Sequence, residues 1–384
     1  MRRPLLPFAA IAVTVLASVG ALLALAISPA QGAVTLPAGF TESQVVSGLT
    51  KPMDMEFAPD GRLFVAEQAG KVLIAKPDGT LATFLNISTK VDSNGERGLQ
   101  ALTFDPNFST NRYVYLHYTK KATSTTPAHN RIVRVTARGD KVVTGSEKLI
   151  FRLDNQSTGV LHHGGAIDFG KDGKLYVATG ENFTPTNAQQ LTNLFGKMLR
   201  INKSGTIPPN NPFYATTSGK NRAIWALGLR NPFKFAIQPG TGTILINDVG
   251  GNTPEAWEEI NQAKKGANYG WPVHEGVAND PQYVDPILAY GHGGDPATTG
   301  CAITGGTFYN PTTLQFPPEY EGDYFFADFC SGWIRKFDPL TGEASGFAIG
   351  VDLPIDLEVS KAGELYHLSR GSSGLVGKIG YAGN

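Results

Sequence analysis

Two adjacent histidines on a glycine turn, His162-His163-Gly164-Gly165, are the part of this chain best suited to proton chemistry. An imidazole titrates near neutrality, so it can take a proton from a hydroxyl and later release it. The pair stands just ahead of Phe169-Gly-Lys-Asp-Gly-Lys-Leu-Tyr-Val-Ala-Thr-Gly180. There Asp172-Gly173 signals a two-residue turn, and the residues from Leu175 form a short strand. A loop carried on a rigid hairpin is a usual seat for catalytic groups, although a histidine there can equally serve structure. Arg230-Asn231 adds a planar guanidinium whose parallel donors match a carboxylate, or an arginine that simply pairs with an acid between sheets. The run from Asp248 to Asn261 sets the carbonyls of Gly250 and Gly251 beside several carboxylates. Those are hard oxygen donors of the kind calcium takes; an ordinary turn followed by a surface helix is the competing reading.

The hairpin that follows the histidines recurs. Related units begin at Phe57, Phe104, Phe169, Ile237, Tyr309 and Val359, spaced 47, 65, 68, 72 and 50 residues apart. A period of roughly fifty residues with several short strands per unit is the signature of propeller blades. An all-β, six-bladed β-propeller is therefore expected, and the regular recurrence argues against a sandwich or a set of small β domains. No Pro/Gly/Ser-rich linker divides the units, so residues 33–384 read as one domain. Helical pattern is confined to Pro254–Lys265 and Asn187–Lys197, which are expected to be the helices.

Composition sets the context. Arg2 and Arg3 precede an apolar run from Leu5 to Ile27 and then small residues up to Ala33, the pattern of a secretory signal cleaved after Gly32. The run is long for a signal, so an uncleaved membrane anchor is the alternative. Removing residues 1–32 leaves 31 basic against 33 acidic groups. A near-neutral chain makes no electrostatic case for nucleic acid or anionic lipid. The two cysteines, Cys301 and Cys330, flank the fifth unit. In an exported chain they are most simply a disulfide closing that blade.

Four motifs in order give the chain a family likeness: Gly95-Glu-Arg-Gly-Leu99, His162-His-Gly-Gly165, Leu229-Arg-Asn-Pro-Phe233 and Asn268-Tyr-Gly-Trp-Pro272. Together they resemble the soluble pyrroloquinoline quinone (PQQ) sugar dehydrogenases, the glucose/sorbosone dehydrogenase family of six-bladed propellers, over about residues 40–380. The resemblance implies an exported quinoprotein that oxidises aldose sugars at C1 to lactones, with PQQ and calcium as cofactors and an external electron acceptor. It makes His162 the base, with His163 shaping the site. Arg230 and Asn231 would contact the quinone, and Glu96 would take the place of a glutamine-type cofactor contact. The carbonyls of Gly250 and Gly251 would hold the calcium that bridges to PQQ, while Glu259 and the Tyr269 carbonyl would hold a further calcium away from the chemistry.

The chain also departs from that pattern. Leu161 stands where an acid often precedes the base. Cys330 or its neighbours occupy the place of a fifth-blade lysine, and Val351–Asp356 lacks the sixth-blade arginines that grip PQQ carboxylates. Arg335, Lys336 and Arg370 are the candidates to replace them. The cysteine pair is similar to the aldose-dehydrogenase and hedgehog-interacting branch, which includes non-enzymes. Two further functions are therefore carried: a non-catalytic carbohydrate- or protein-binding propeller, and a calcium-dependent lactonase. The second centres on acids and asparagines in the channel, which the sequence does not place.

Overall fold

Each repeated hairpin becomes the inner half of an antiparallel sheet. The computed structural model describes residues 33–295 and 298–383; the expected leader, residues 1–32, lies outside them. Among the described residues there are six sheets of four strands each, the second extended by the short strand Lys141–Val142. Their innermost strands are Pro52–Phe57, Leu99–Phe104, Gly164–Phe169, Pro232–Ile237, Ile303–Phe308 and Pro354–Val359. Each packs against the next around a closed ring, which is the expected six-bladed propeller.

Closure joins the two ends of the described chain. Blade six takes three strands from Pro354–Tyr381 and its outermost strand, Phe40–Ser47, from the other end, with Phe40 registered opposite Tyr381. The core lies in the seams between blades. Phe64, Phe84, Phe104 and Phe108 fill the seam between blades one and two edge to face, at centroid distances of 5.0 Å. Phe40, Tyr309, Phe316, Phe325 and Phe347 fill the seam between blades five and six. Burying each such ring contributes about 1.5–3 kcal/mol, so the seams set the ring's rigidity.

Both expected helices are replaced. Within 254–265 the chain forms the strand Trp257–Gln262, registered against Ile244–Asp248. Its glutamates are buried partners, not a solvated helix face: Glu258 accepts from the Ile303 N–H at 2.8 Å and bonds the His292 ring at 2.7 Å. Within 187–197 only a 3₁₀ turn forms, Pro185–Gln189. The buried Lys197 amine holds the following loop in shape by donating to the Asn187 and Ala188 carbonyls at 2.8 and 3.0 Å. Burial depresses that amine to about 7. Cys301 and Cys330 form the expected disulfide within blade five.

Candidate active site

The propeller's strand directions collect the candidate residues at one end. Glu96, His162 and Arg230-Asn231 each lie one to three residues before the innermost strand of blades two, three and four. In every blade the second strand runs antiparallel to the first, so the residue leaving it returns to the same end: Pro52 pairs Glu67, Gly164 pairs Thr179, Pro232 pairs Asp248 and Pro354 pairs Ser369. That brings in Gln68, Glu181, Gly250 and Arg370. A cavity of about 180 Å³ opens there, lined among others by Gln68, Glu96, Asn231, Val249, Phe329 and Arg370.

The histidine turn is built on a tightly constrained backbone. His162 itself has φ +57°, followed by Gly164 at +59° and Gly165 at +137°. A Cβ on Gly164 would stand 2.7 Å from the Gly180 nitrogen, and one on Gly165 2.5 Å from the Gln100 Cβ. The two glycines let the turn sit flush on neighbouring strands, and the unusual φ at His162 is held from both sides. Its N–H donates to Glu96 Oε2 at 2.8 Å, and its carbonyl accepts from the Asn182 N–H at 3.0 Å.

The two histidines differ in kind. His162 Nδ1 donates to Glu181 Oε1, while the other carboxylate oxygen of Glu181 accepts the Thr184 N–H. Glu181 is fully buried and fixes the tautomer, so Nε2 keeps a lone pair and makes no hydrogen bond with described residues. His163 faces inward. Gln156 Nε2 donates to its Nδ1 at 3.0 Å, and burial depresses it to about 3. Behind the turn, the His117 Nδ1–H donates to the Gly165 carbonyl at 2.7 Å, and burial lowers that imidazole to about 4.

Arg230 and Asn231 are clamped together, yet they face different spaces. Their backbone N–H groups donate to the two oxygens of Asp248 at 2.9 and 2.7 Å. Burial raises that carboxyl to about 7 against the pull of those bonds. Asn231 reaches the main cavity; its Oδ1 accepts the Gly164 N–H at 2.8 Å and its Nδ2 reaches toward Glu96 Oε2 at 3.4 Å. The Arg230 guanidinium borders a smaller cleft with Asp248, Glu259, Trp271 and Glu275. It lies 5.3 Å from the Trp271 ring, and its Nε is buried without a partner. Of the three substitutes expected for the missing cations, Arg370 alone lines the main cavity. Arg335 and Lys336 sit on the third strand of blade five, where Lys336 pairs with Asp323 at 2.6 Å. Arg370 donates to Gln68 Oε1 at 2.6 Å and to the Pro52 carbonyl at 2.9 Å; no carboxylate is among its hydrogen-bond partners.

Of the expected calcium ligands, Gly250 and Glu259 line this cleft. The Gly250 and Gly251 N–H groups donate to Glu258 Oε1 at 3.3 Å and Glu275 Oε1 at 2.5 Å, and neither carbonyl accepts a hydrogen bond from described residues. Glu259 accepts from Gly276 N–H at 2.6 Å and Asn261 Nδ2 at 2.8 Å. Burial and Asp248 push it up to about 8. It shares the cleft with Arg230, so it is not remote from the site as the sequence suggested. Tyr269 is buried, its hydroxyl donating to the Gln262 carbonyl at 2.9 Å.

Sequence reading missed Glu181 and treated Arg370 as only one of three substitutes. Both stand just past the recurring "Leu-Tyr" strand: Arg370 directly after its last residue, as Gln68 does in blade one, and Glu181 one residue further on. It also missed the channel acids. Asp54, Glu56, Asp168, Asp356 and Glu358 line a cavity of about 320 Å³ at the opposite end, with Lys234 among them.

The sequence model of the glucose/sorbosone dehydrogenase family matches residues 49–353. The chain belongs to that family. It is 31% identical over 283 residues to quinoprotein glucose dehydrogenase B of Acinetobacter calcoaceticus, a stretch covering 67% of this chain and 57% of that protein. Human hedgehog-interacting protein is 30% identical over 237 residues, covering 54% of this chain and 33% of that protein. The chain thus spans less than two thirds of the length of either relative. The apo structure of the soluble aldose sugar dehydrogenase from Escherichia coli superposes with a TM-score of 0.75 at 26% identity, covering 89% of this chain and 99% of that one.

Proposed function

We propose that this chain is an exported sugar dehydrogenase that oxidises the C1 hydroxyl of an aldose to the lactone, using PQQ and calcium. The observation that carries the reading is the His162–Glu181 pair beside a cavity walled by Asn231 and Arg370. PQQ held in that cavity by Arg370 and Asn231 would supply the acceptor for the hydride that leaves C1. His162 Nε2 takes the hydroxyl proton as the hydride departs, and the buried Glu181 carboxylate stabilises the imidazolium so formed.

The residues present fit the cofactor. PQQ carries carboxylates, and Arg370 presents a partly buried guanidinium with neutral acceptors and no acid partner, as an anion subsite requires. Arg230 holds Val249 by donating to its carbonyl at 3.1 Å, and so supports the wall next to Asn231. Glu96 is committed to the His162 N–H and Asn231, so it positions the turn. The free Gly250 and Gly251 carbonyls and the acids behind them form a hard oxygen set suited to calcium, with Glu259 and the Tyr269 carbonyl as a further set. The disulfide fits an oxidising compartment, and among the described residues no helix is long and apolar enough to cross a membrane.

Reconstitution tests this. Purified protein mixed with PQQ and calcium is expected to reduce a dye with aldoses. His162→Ala should lose on the order of 10²–10⁴-fold in kcat while still taking up PQQ. No PQQ uptake and no turnover would return the chain to the second reading, a binding propeller like its hedgehog-interacting relative. The lactonase reading predicts lactone hydrolysis without PQQ. It gains little from the channel acids, because Lys234 already neutralises two of them.

A further inference from the structure

The loop Glu181–Thr184 does more than hold the base. Asn182 and Phe183 both have positive φ, +60° and +55°. A left-handed conformation at a bulky aromatic residue is uncommon and is kept only where surrounding contacts impose it. Here the Asn182 N–H is bonded to the His162 carbonyl, and Glu181 bridges His162 Nδ1 and the Thr184 N–H. The Phe183 ring is consequently fixed relative to the imidazole, 5.3 Å between centroids and edge-on at 63°. The ring is nonetheless 56% exposed, and Leu161, which precedes His162 in the chain, is 36% exposed. A strained backbone that turns an aromatic ring out to solvent beside a proton acceptor gains nothing for the core.

Resting on the sugar-oxidation reading, we propose that Phe183 is the substrate platform: a ring on which the apolar C–H face of a pyranose lies while its C1 hydroxyl reaches His162 Nε2. Phenylalanine gives a large flat contact with few rotatable bonds, and aldopyranoses with equatorial hydroxyls present a matching flat face. Because His162 and Phe183 are tied through one loop, the sugar is placed relative to the base and not merely retained. Sugars with an axial hydroxyl on the stacking face should be discriminated against.

The test uses the PQQ- and calcium-loaded protein with glucose and with a panel of aldoses. Phe183→Ala and Phe183→Leu are each expected to raise KM for the preferred aldose about tenfold, the loss falling on KM more than kcat. Phe183→Trp should keep KM near the wild-type value, and all three should bind PQQ with the wild-type affinity in a direct titration. An unchanged aldose KM in both the Ala and Leu variants overturns the platform while leaving the dehydrogenase reading intact. A rise in KM for the dye alone also overturns it, since the ring would then dock the electron acceptor. Failure of the wild-type protein to oxidise any aldose overturns the dehydrogenase reading and the platform with it.

Discussion

The two mouths of the central channel are built from the same six strands and solve opposite electrostatic problems. At the strand starts, a largely apolar wall carries the Arg370 guanidinium, which lacks a carboxylate partner, with Gln68, Asn231 and Glu96 among its other polar groups. At the strand ends, Asp54, Glu56, Asp168, Asp356 and Glu358 crowd around Lys234. That amine is buried between Asp54 and Asp356, 2.9 Å from the second. Burial alone would depress it, and the two carboxylates more than reverse that, so its pKa is raised. Glu56 and Glu358 form no ion pair with it; burial and repulsion from neighbouring carboxylates raise both well above the usual carboxylate range. One mouth has a cation without a counter-charge for a ligand to use, whereas the other pairs its charge internally or resists ionisation of its remaining carboxyls by burying them.

The largest effect should come from breaking the internal pairing. Lys234→Met would leave Asp54 and Asp356 buried without a counter-charge, and is expected to cost about 3–5 kcal/mol in denaturant melts at pH 7.5. The deficit should shrink near pH 4, where the acids protonate. A melt within 1 kcal/mol of wild type would show that the channel admits its own counter-ions.

Next comes the ligand mouth, where Ala302 and Phe329 line the cavity directly beside Cys301 and Cys330. Opening the bridge with Cys301→Ser and Cys330→Ser together should cost about 3–4 kcal/mol on the loop-entropy estimate for a 29-residue separation. PQQ affinity should fall as well. Stability lost without any change in affinity would mean that the cavity wall is held by the seams alone.

Glu181→Gln sharpens the contrast more finely. The amide oxygen can still accept the Thr184 N–H, but the NH2 then faces His162 Nδ1 and forces the ring proton to Nε2, and no carboxylate stabilises an imidazolium, so kcat should drop on the order of 10–100-fold while the fold is kept. A lost fold and lost activity together would make Glu181 structural.

The smallest effect belongs to Asp168. Burial raises it to about 6, above its unfolded value, so its contribution is present at pH 4 and is lost as pH rises through 6. Asp168→Asn should therefore stabilise the protein by about 1–2 kcal/mol at pH 7.5 and change little at pH 4. Equal melts at both pH values would refute the shift.

The ring itself was legible because Asp-Gly and Pro-Asn turns followed by β-rich runs recur at blade spacing. Glu258 and Glu259 misled because polar residues at helical spacing also occur on a buried strand when the next blade supplies donors such as the Ile303 N–H. His162 could be picked out beside its glycines. The position of Glu181 just past the strand was visible, but its pairing with His162 was not, since that meeting needs Gly164 to lie opposite Thr179 and the loop beyond to turn back onto the imidazole. The same holds for Arg370, which is distant in sequence from Gln68 and touches it only once the ring has closed.

That closure bears on how the molecule is made. Because Phe40–Ser47 waits for Leu375–Tyr381, a ribosome must deliver nearly the whole sequence before the last seam can form. Until then Phe40–Ser47 is a solitary edge, open to pairing with another nascent chain. Folding that ends on so distant a contact is slow, and during that interval the growing chain is at its most vulnerable to aggregation and proteases. Circular permutants cut between blades, which would complete each sheet from neighbouring sequence, should shorten it.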